Sequence, residues 1–281
     1  MYPAPFDYFR PTSLDEAVKL LAQHGDEAKL LAGGHSLIPA MKLRLAQPKA
    51  LVDLGRIASL SGIREASGRL VLGAMTTHAE IEASPLVRSK CPLLAEVASH
   101  IGDMQVRNKG TIGGSLAHAD PAADWPAAVL ALDAEIEIAG LAGRRTVKAD
   151  RFFVELLQTA IGTGEILSEI RVAPTPRSVA YEKTEQKASG FALCGVAAVV
   201  DGRSVRVAVT GVAATAYRAT AVEQGLGGEP ITPERIARAA AHAADGVGAL
   251  SDIHASAEFR AHLAQVNARR ALTRAIERRS P

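Results

Sequence analysis

The sequence predicts an α+β protein with two domains, a larger one over residues 1–176 and a smaller sheet-plus-helices domain over residues 177–281. The chain has 281 residues, which at roughly 150 residues per domain suggests about two. Pro174-Thr175-Pro176 marks a linker, because two prolines so close together suit neither a helix nor the interior of a sheet. Beyond this linker strand-like runs come first and helical runs follow, whereas before it the two are mixed.

The first domain begins with a helix. Ser13 and Glu16 predict a capping box at its start, and Gly25 is placed to end it. A second capping-box signature is Thr77-His78-Ala79-Glu80, and Pro92 suits the first turn of a helix that runs to about His100. A further helix is predicted over residues 125–132, after a long loop over residues 102–124. Strands are predicted over residues 29–32, 50–54, 69–74, 134–139, 146–149 and 166–172.

The second domain is predicted to start with three strands, over residues 179–184, 191–200 and 204–212. Asp201-Gly202 is typical of a hairpin turn between the last two. Two helices are expected from Ile231 onward. In the final one, apolar residues at approximately helical spacing predict the buried face; these are Phe259, Leu263, Val266 and Leu272.

Composition excludes several classes of function. With 32 Lys+Arg against 30 Asp+Glu and only 4% aromatic residues, the chain has neither the charge nor the stacking surface of a nucleic-acid-binding protein. No transmembrane segment is expected, because the most apolar run, residues 127–142, is interrupted by three carboxylates. The N-terminus lacks the features of a signal peptide, so a cytoplasmic protein is expected. Two cysteines cannot supply the four thiolates of a typical iron–sulfur cluster or of a four-cysteine zinc site.

Two glycine-centred loops are the best candidates for a functional site. They are Ala32-Gly33-Gly34-His35-Ser36, directly after a predicted strand, and Gly110-Thr111-Ile112-Gly113-Gly114-Ser115. Paired glycines let successive amides form a concave nest that suits phosphate, and two such loops could hold the two phosphates of a dinucleotide. The alternative is that each pair is only a tight turn. Neither the P-loop pattern nor the G-x-G-x-x-G pattern is present, so the residues alone leave the ligand open.

Longer runs around these loops resemble a known family. Residues 32–39 with 41–44 resemble the first flavin-binding segment of the FAD subunit of molybdenum hydroxylases, the relatives of aerobic carbon monoxide dehydrogenase and xanthine dehydrogenase. Residues 105–115 with 119–124 resemble the second segment, and Tyr181-Glu182-Lys183 is also similar to the family. The resemblance covers essentially the whole chain, in order and at the family's spacing.

The resemblance implies a two-subdomain FAD-binding domain of the vanillyl-alcohol oxidase/peptidoglycan reductase type, followed by a carbon monoxide dehydrogenase flavoprotein-type C-terminal domain. In such a fold residues 32–36 and 111–115 wrap the FAD pyrophosphate through backbone amides. Ile101 packs on the cofactor, Asp124 accepts a hydrogen bond from it, Leu167 lies along the adenosine or flavin, and Lys183 approaches the flavin ring. The full implied set is Leu31, Ala32, Gly33, Gly34, His35, Ser36, Leu37, Ile101, Gly110, Thr111, Gly113, Gly114, Ser115, Asp124, Leu167, Lys183 and Phe191.

The implied function is electron transfer within a larger enzyme. A large molybdopterin subunit oxidises the substrate, a small iron–sulfur subunit passes the electrons on, and this chain delivers them from FAD to an external acceptor. A dimer of heterotrimers is the implied assembly. No catalytic residue and no metal ligand is expected here. Two alternatives are a self-contained flavin oxidase or reductase with its own substrate, and a binding module that kept the fold but lost the flavin.

Four further expectations concern single residues. Relatives that oxidise carbon monoxide commonly carry a tyrosine where this chain has Phe191, which stacks but cannot hydrogen-bond, and this disfavours carbon monoxide as the substrate. Asp120 is expected to organise its loop. His78 and His100 are expected to be surface or cap residues. The arginines of the final helix are expected to form a solvated face or a subunit contact; they are Arg260, Arg269, Arg270, Arg274, Arg278 and Arg279.

Overall fold

The computed structural model describes residues 1–228 and 230–279. Its strands are β1 (Asp7–Phe9), β2 (Ala28–Leu31), β3 (Ala50–Asp53), β4 (Ile63–Ala66), β5 (Arg69–Gly73), β6 (Glu135–Gly140), β7 (Gly143–Lys148), β8 (Phe153–Glu155), β9 (Gln158–Thr159), β10 (Ile166–Val172), β11 (Val179–Glu185), β12 (Ala192–Asp201), β13 (Ser204–Thr210) and β14 (Tyr217–Arg218). Its α-helices are α1 (Leu14–His24), α2 (Leu37–Lys42), α3 (His78–Ala83), α4 (Pro85–Lys90), α5 (Pro92–Ser99), α6 (Met104–Arg107), α7 (Ile112–His118), α8 (Trp125–Ala131), α9 (Thr220–Leu226), α10 (Pro233–Ala240) and α11 (Ala257–Glu277). The α+β prediction is confirmed.

The first subdomain is a three-stranded parallel sheet in the order β1-β3-β2, with α1 packed on it. The helix starts where predicted, since the Ser13 hydroxyl accepts the Glu16 amide at 3.2 Å. The reciprocal half of the capping box is shifted by one residue, because the Glu16 carboxylate accepts the amide of Thr12 at 2.8 Å. Gly25, at φ +52°, ends the helix as predicted.

The second subdomain is a five-stranded antiparallel sheet in the order β4-β5-β10-β6-β7. Helices α3, α4, α5, α7 and α8 and the strand β10 contribute to its core, whose largest buried side chains are Trp125, Tyr181 and Phe152. The chain crosses from β2 directly into the first glycine loop and from α6 into the second. Both glycine loops therefore follow closely on regular secondary structure.

The prediction of a continuous loop over residues 102–124 is wrong, because this segment contains the short helices α6 and α7. Asp103 caps α6 by accepting the Val106 amide at 2.8 Å, and Thr111 caps α7 by accepting the Gly114 amide at 3.1 Å. Glycine opposes helix formation in isolation, but a Cβ on Gly113 would lie 2.5 Å from the Cβ of Ala74. Close packing on Ala74, directly after β5, thus explains a helix that composition alone disfavours.

The C-terminal domain is a four-stranded antiparallel sheet in the order β11-β12-β13-β14, covered by α9, α10 and α11. The predicted hairpin at Asp201-Gly202 is present between β12 and β13. The predicted face of α11 is wrong at Phe259, which is 47% exposed. Small residues fill the contact instead, and besides Leu263 and Leu272 the buried apolar residues are Ala264, Ala268, Ala271 and Ala275.

The arginines of α11 and the turn after it do not form one solvated face. Arg260 is buried and donates to the carbonyl oxygens of Gly211 and Leu193 at 2.6 and 3.0 Å. Arg274 and Arg278 both bind Glu96 of α5, with Arg278 Nη1 at 2.6 Å from Glu96 Oε2. Arg260 is therefore internal, whereas Arg274 and Arg278 are partly exposed and tie the C-terminal domain to the first one through Glu96.

No helix in the described part of the chain is both long enough and apolar enough to cross a membrane.

Candidate functional site

The two glycine loops, far apart in sequence, lie directly against each other. A Cβ on Gly33 would be 2.1 Å from the carbonyl oxygen of Lys109 and 2.8 Å from the Cα of Gly110. A Cβ on Gly114 would lie 3.2 Å from the Cβ of Ala32. Glycine is required at Gly33 because backbone atoms, which cannot move aside, occupy the space of a side chain. The pairing of the loops thus follows from their glycines.

The first loop presents a row of free backbone donors. The chain turns at Gly34, which has φ +75°, and passes through the exposed residues His35 and Ser36 into α2. Among the described residues no group accepts the amides of residues 34–37, and the Ile38 amide is the first one used, donating to the Gly34 carbonyl oxygen at 3.0 Å. Successive amides without acceptors are a receptor for an anion with several oxygens.

The second loop is held from inside the protein. The amides of Ile112 and Gly113 donate to the carbonyl oxygens of Thr76 and Ala74 at 3.1 and 2.9 Å. The amides of Gly114 and Ser115 both donate to Thr111, to its hydroxyl and its carbonyl oxygen. The donors left over in residues 111–115 are the Thr111 amide and the hydroxyl groups. This loop is therefore more rigid than the first and has fewer backbone donors to offer.

His78 supports the second loop, and this position corrects the expectation of a surface residue. Its side chain is buried at 4% exposure, and its amide donates to the Gly110 carbonyl oxygen at 3.0 Å. Trp125 Nε1 donates to His78 Nδ1 at 3.1 Å. Burial, with smaller contributions from the charges of His35 and Arg107, lowers the pKa of His78 to about 4, so that the ring is neutral at pH 7.

A second polar cluster joins the two domains at Asp124. The Tyr181 hydroxyl donates to Asp124 Oδ1 at 2.5 Å, and Lys183 Nζ lies 2.9 Å from the same oxygen. Lys183 also donates to the His100 carbonyl oxygen at 2.9 Å, and its side chain is only 1% exposed. Gly195 makes room for this arrangement, because a Cβ there would lie 2.2 Å from the Tyr181 hydroxyl oxygen.

Burial sets the protonation behaviour of this cluster. It raises the pKa of Asp124 above its ordinary value, against the opposing effects of Lys183 and Tyr181. It also raises the pKa of Tyr181 well above the usual range, with Asp124 adding to the shift, so that the hydroxyl remains a donor. Asp124 already accepts hydrogen bonds from two side chains of its own protein.

Asp120 has a local role, since it accepts the Ala122 amide at 2.8 Å.

The other candidate residues occupy three different environments. Ile101 is half-buried against the core of the second subdomain, and Leu167 is buried in β10. Phe191 is 49% exposed and follows Gly190, where a Cβ would lie 3.9 Å from the Cα of Gly102. Ile101 and Phe191 are therefore carried by loops of different domains that approach each other. His100 is exposed, as expected, but its ring also packs edge-on against Tyr181 at 5.7 Å.

The sequence analysis did not identify His78 and Trp125 as parts of this region. A single tryptophan in 281 residues was the one available signal for a buried polar contact, since a buried indole N–H needs an acceptor. Lys109 lies within residues 105–115, which the resemblance had identified, but its contact with Gly33 is made by the backbone carbonyl.

Comparisons with known proteins cover the whole chain. Residues 4–176 match the family described as the FAD binding domain in molybdopterin dehydrogenase, and residues 179–275 match the CO dehydrogenase flavoprotein C-terminal domain. The chain is 43% identical to the carbon monoxide dehydrogenase medium chain of Hydrogenophaga pseudoflava, over 99% of each sequence. It is 38% identical to the nicotine 6-hydroxylase medium subunit of Paenarthrobacter nicotinovorans, over 95% of this chain and 96% of the relative. The solved carbon monoxide dehydrogenase of Hydrogenophaga pseudoflava has a chain that superposes with a TM-score of 0.95 at 44% identity, covering 99% of both.

Proposed function

Since this chain belongs to the family of FAD-binding medium subunits of molybdenum hydroxylases, we propose that it binds one FAD non-covalently and carries electrons from a partner's iron–sulfur clusters to an external acceptor. The observation that carries the proposal is the row of four unpaired amides at residues 34–37, held against the second glycine loop. A pyrophosphate supplies the closely spaced anionic oxygens that such a row of donors requires.

The residues fit the pyrophosphate end of FAD. Within the first loop, residues 32–36 with Leu37, the free amides are those of residues 34–37, and Ser36 adds an exposed hydroxyl. In residues 110–115 the donors that remain for the ligand are the Thr111 amide and the hydroxyls of Thr111 and Ser115. Because Gly110, Gly113 and Gly114 have no side chains, the backbone of this loop packs closely on His78, Ala74 and Ala32. The loops thus have different tasks: the first binds through its amides, and the second gives the first a rigid support.

The flavin end is assigned to the boundary between the domains. We place Ile101, Asp124, Leu167, Lys183 and Phe191 around the isoalloxazine and its sugar-like chain. Asp124 fixes the Lys183 ammonium, so that a positive charge is held in a water-poor place rather than left mobile. The half-exposed Phe191 ring offers an apolar face for stacking. FAD supplies the redox chemistry when bound, and the protein supplies the orientation and the electrostatic environment.

The proposal requires partner subunits. Cys91 and Cys194 are both buried, and burial raises the pKa of these thiols to about 11 and about 12, so neither offers a thiolate for a cluster. We therefore assign the clusters to a small iron–sulfur subunit and the molybdenum cofactor to a large molybdopterin subunit, in a dimer of heterotrimers. The relatives' designations as medium chain and medium subunit support this assignment. We also propose domain limits of 1–176 and 177–281, which the two matched ranges support.

Cofactor binding is tested by reconstitution. The purified chain is incubated with FAD and desalted, and flavin absorbance should remain with the protein in stoichiometric amount. Loss of all flavin absorbance would contradict the proposal.

Electron transfer is tested in the purified complex. Carbon monoxide and nicotine, the compounds that the relatives' names give, are added without oxygen, and bleaching of the flavin is followed. Flavin bleaching that needs the iron–sulfur subunit supports electron transfer. Turnover of a small substrate by the isolated chain would instead support a self-contained flavin enzyme.

A further inference from the structure

We propose that His78 is a further cofactor-binding residue, which presents a neutral Nε2–H donor to a phosphate oxygen of the bound dinucleotide at the junction of the two glycine loops. The inference rests on the proposed FAD function. It adds a residue that lies outside both loops in sequence and supports them in space.

The position of the proton on His78 follows from its neighbour Trp125. An indole N–H is only a donor, so the nitrogen that faces it, His78 Nδ1, must be the unprotonated acceptor. A neutral ring with an acceptor at Nδ1 carries its proton on Nε2. Trp125 is fully buried at the start of α8. Its hydrogen bond to Nδ1 therefore fixes both the tautomer and the orientation of the His78 ring.

The Nε2 edge of His78 points to the second loop. A Cβ on Gly110 would lie 2.6 Å from Nε2, and the Cα of Gly110 is in turn in close contact with Gly33 of the first loop. Nε2 has no hydrogen-bond acceptor among the described residues, although His78 is only 4% exposed. The Nε2 atom is nevertheless accessible from outside the protein, unlike fully enclosed atoms without a partner such as His24 Nε2 and Arg260 Nε.

A nearly buried donor without an acceptor is unfavourable unless a ligand completes it. The nearest feature that calls for donors is the pyrophosphate site proposed for the loops. Glycine at Gly110 leaves the imidazole edge uncovered, where any side chain would overlap it. Because the acceptor would be an ionised phosphate oxygen, the hydrogen bond belongs to the stronger, charge-assisted class.

The test compares His78→Phe with His78→Gln. Phenylalanine keeps an aromatic ring in the core but has no donor, whereas the glutamine amide places an N–H donor close to the position of Nε2. We expect His78→Phe to raise the Kd for FAD by at least about 10-fold, the usual range for a lost bond to a charged group. His78→Gln should recover most of that affinity. His262→Phe, the same change at an exposed position on α11, is the control and should leave the Kd unchanged.

Two further measurements separate ligand contact from a merely structural role. Riboflavin has no phosphate, so its affinity should be the same in wild type and in His78→Phe. In ¹⁵N-histidine-labelled wild type, FAD should shift the His78 Nε2–H proton resonance downfield and slow its exchange with water. An equal loss of riboflavin and FAD affinity, an unchanged FAD affinity, or an unmoved Nε2–H resonance would each overturn the inference. Failure of the wild type to retain FAD would instead overturn the proposed function itself.

Discussion

Gly33 and Lys109 are in backbone contact across the two glycine loops, so close that a Cβ on Gly33 would be 2.1 Å from the Lys109 carbonyl oxygen. Together with the contact of Gly114 with Ala32, this contact brings the two loops close to each other. It also makes the loop pair sensitive to the addition of a single methyl group.

Gly33→Ala should push the first loop away from the second and lower FAD retention. The methyl group meets backbone atoms on the other loop, so the loop itself must move, and we expect the Kd for FAD to rise by about 10-fold or more. Flavin absorbance after desalting measures the effect. Gly248→Ala is the matched control, because a Cβ there has no atom within 4 Å. Equal flavin content in the two variants would mean that the loop contact does not shape the site.

Tyr181→Phe should destabilise the junction between the domains. The change removes a donor from the buried Asp124 carboxylate and leaves part of its hydrogen-bonding capacity empty, which we expect to cost about 1–3 kcal/mol in the free energy of unfolding. Urea unfolding measures this. Tyr2→Phe, at an exposed tyrosine, should have no effect.

Gly195→Ala tests the same hydroxyl from the opposite strand. Its methyl group would occupy the place of the Tyr181 oxygen, so it should destabilise the protein by a similar amount. In Tyr181→Phe, which lacks that oxygen, the alanine should cost less. Simple additivity of the two substitutions would contradict this account.

His78 should make stability fall as the pH is lowered through its titration range. Its pKa is about 4 in the folded protein and 6.5 when unperturbed, so between these values the unfolded chain binds a proton that the folded protein does not. The free energy of unfolding should therefore be unaffected by this group above about pH 6.5, and decline by up to about 3 kcal/mol on approaching pH 4. Urea unfolding of wild type and His78→Phe over that range measures the difference. A slope that His78→Phe leaves unchanged would assign the pH dependence to other groups.

Glu96→Gln should loosen the C-terminal domain from the first one. It removes the carboxylate that Arg274 and Arg278 share, and because these groups are only partly buried we expect a loss of about 1 kcal/mol. Thermal unfolding measures the loss. The control is Glu65→Gln, which breaks the more exposed pair with Lys90 and should change the melting temperature less. In a double-mutant cycle, the variant that carries both Glu96→Gln and Arg278→Gln should lose less stability than the sum of the losses in the two single variants.

Local signals in the sequence predicted the starts of elements well. Ser13, Thr77 and Asp201-Gly202 lie where a cap or a turn was expected, because such signals act through neighbouring backbone atoms. The glycine pairs themselves pointed to the two loops, and the resemblance predicted the family and the FAD-binding fold, which the comparisons confirm. The individual cofactor contacts stay predictions.

Contacts between distant residues were not predictable in the same way. The burial of His78 depends on Trp125, 47 residues later, and neither residue alone indicates the pair. The predicted buried face of α11 was wrong at Phe259 because helical spacing was read from the large apolar residues. This helix packs closely through its alanines instead. The helix α7 was missed because its glycines, unfavourable for a helix in isolation, serve its contact with Ala74.

The bonds from Arg274 and Arg278 to Glu96 can form only late in synthesis. These partners follow Glu96 by 178 and 182 residues, and both glycine loops leave the ribosome long before either arginine does. In a nascent chain the two glycine loops are therefore made first, and the contacts of Arg274 and Arg278 with Glu96 form last. A chain that ends within α11 before Arg274 therefore has both loops and the Asp124 cluster between its domains, but lacks the clamp on Glu96.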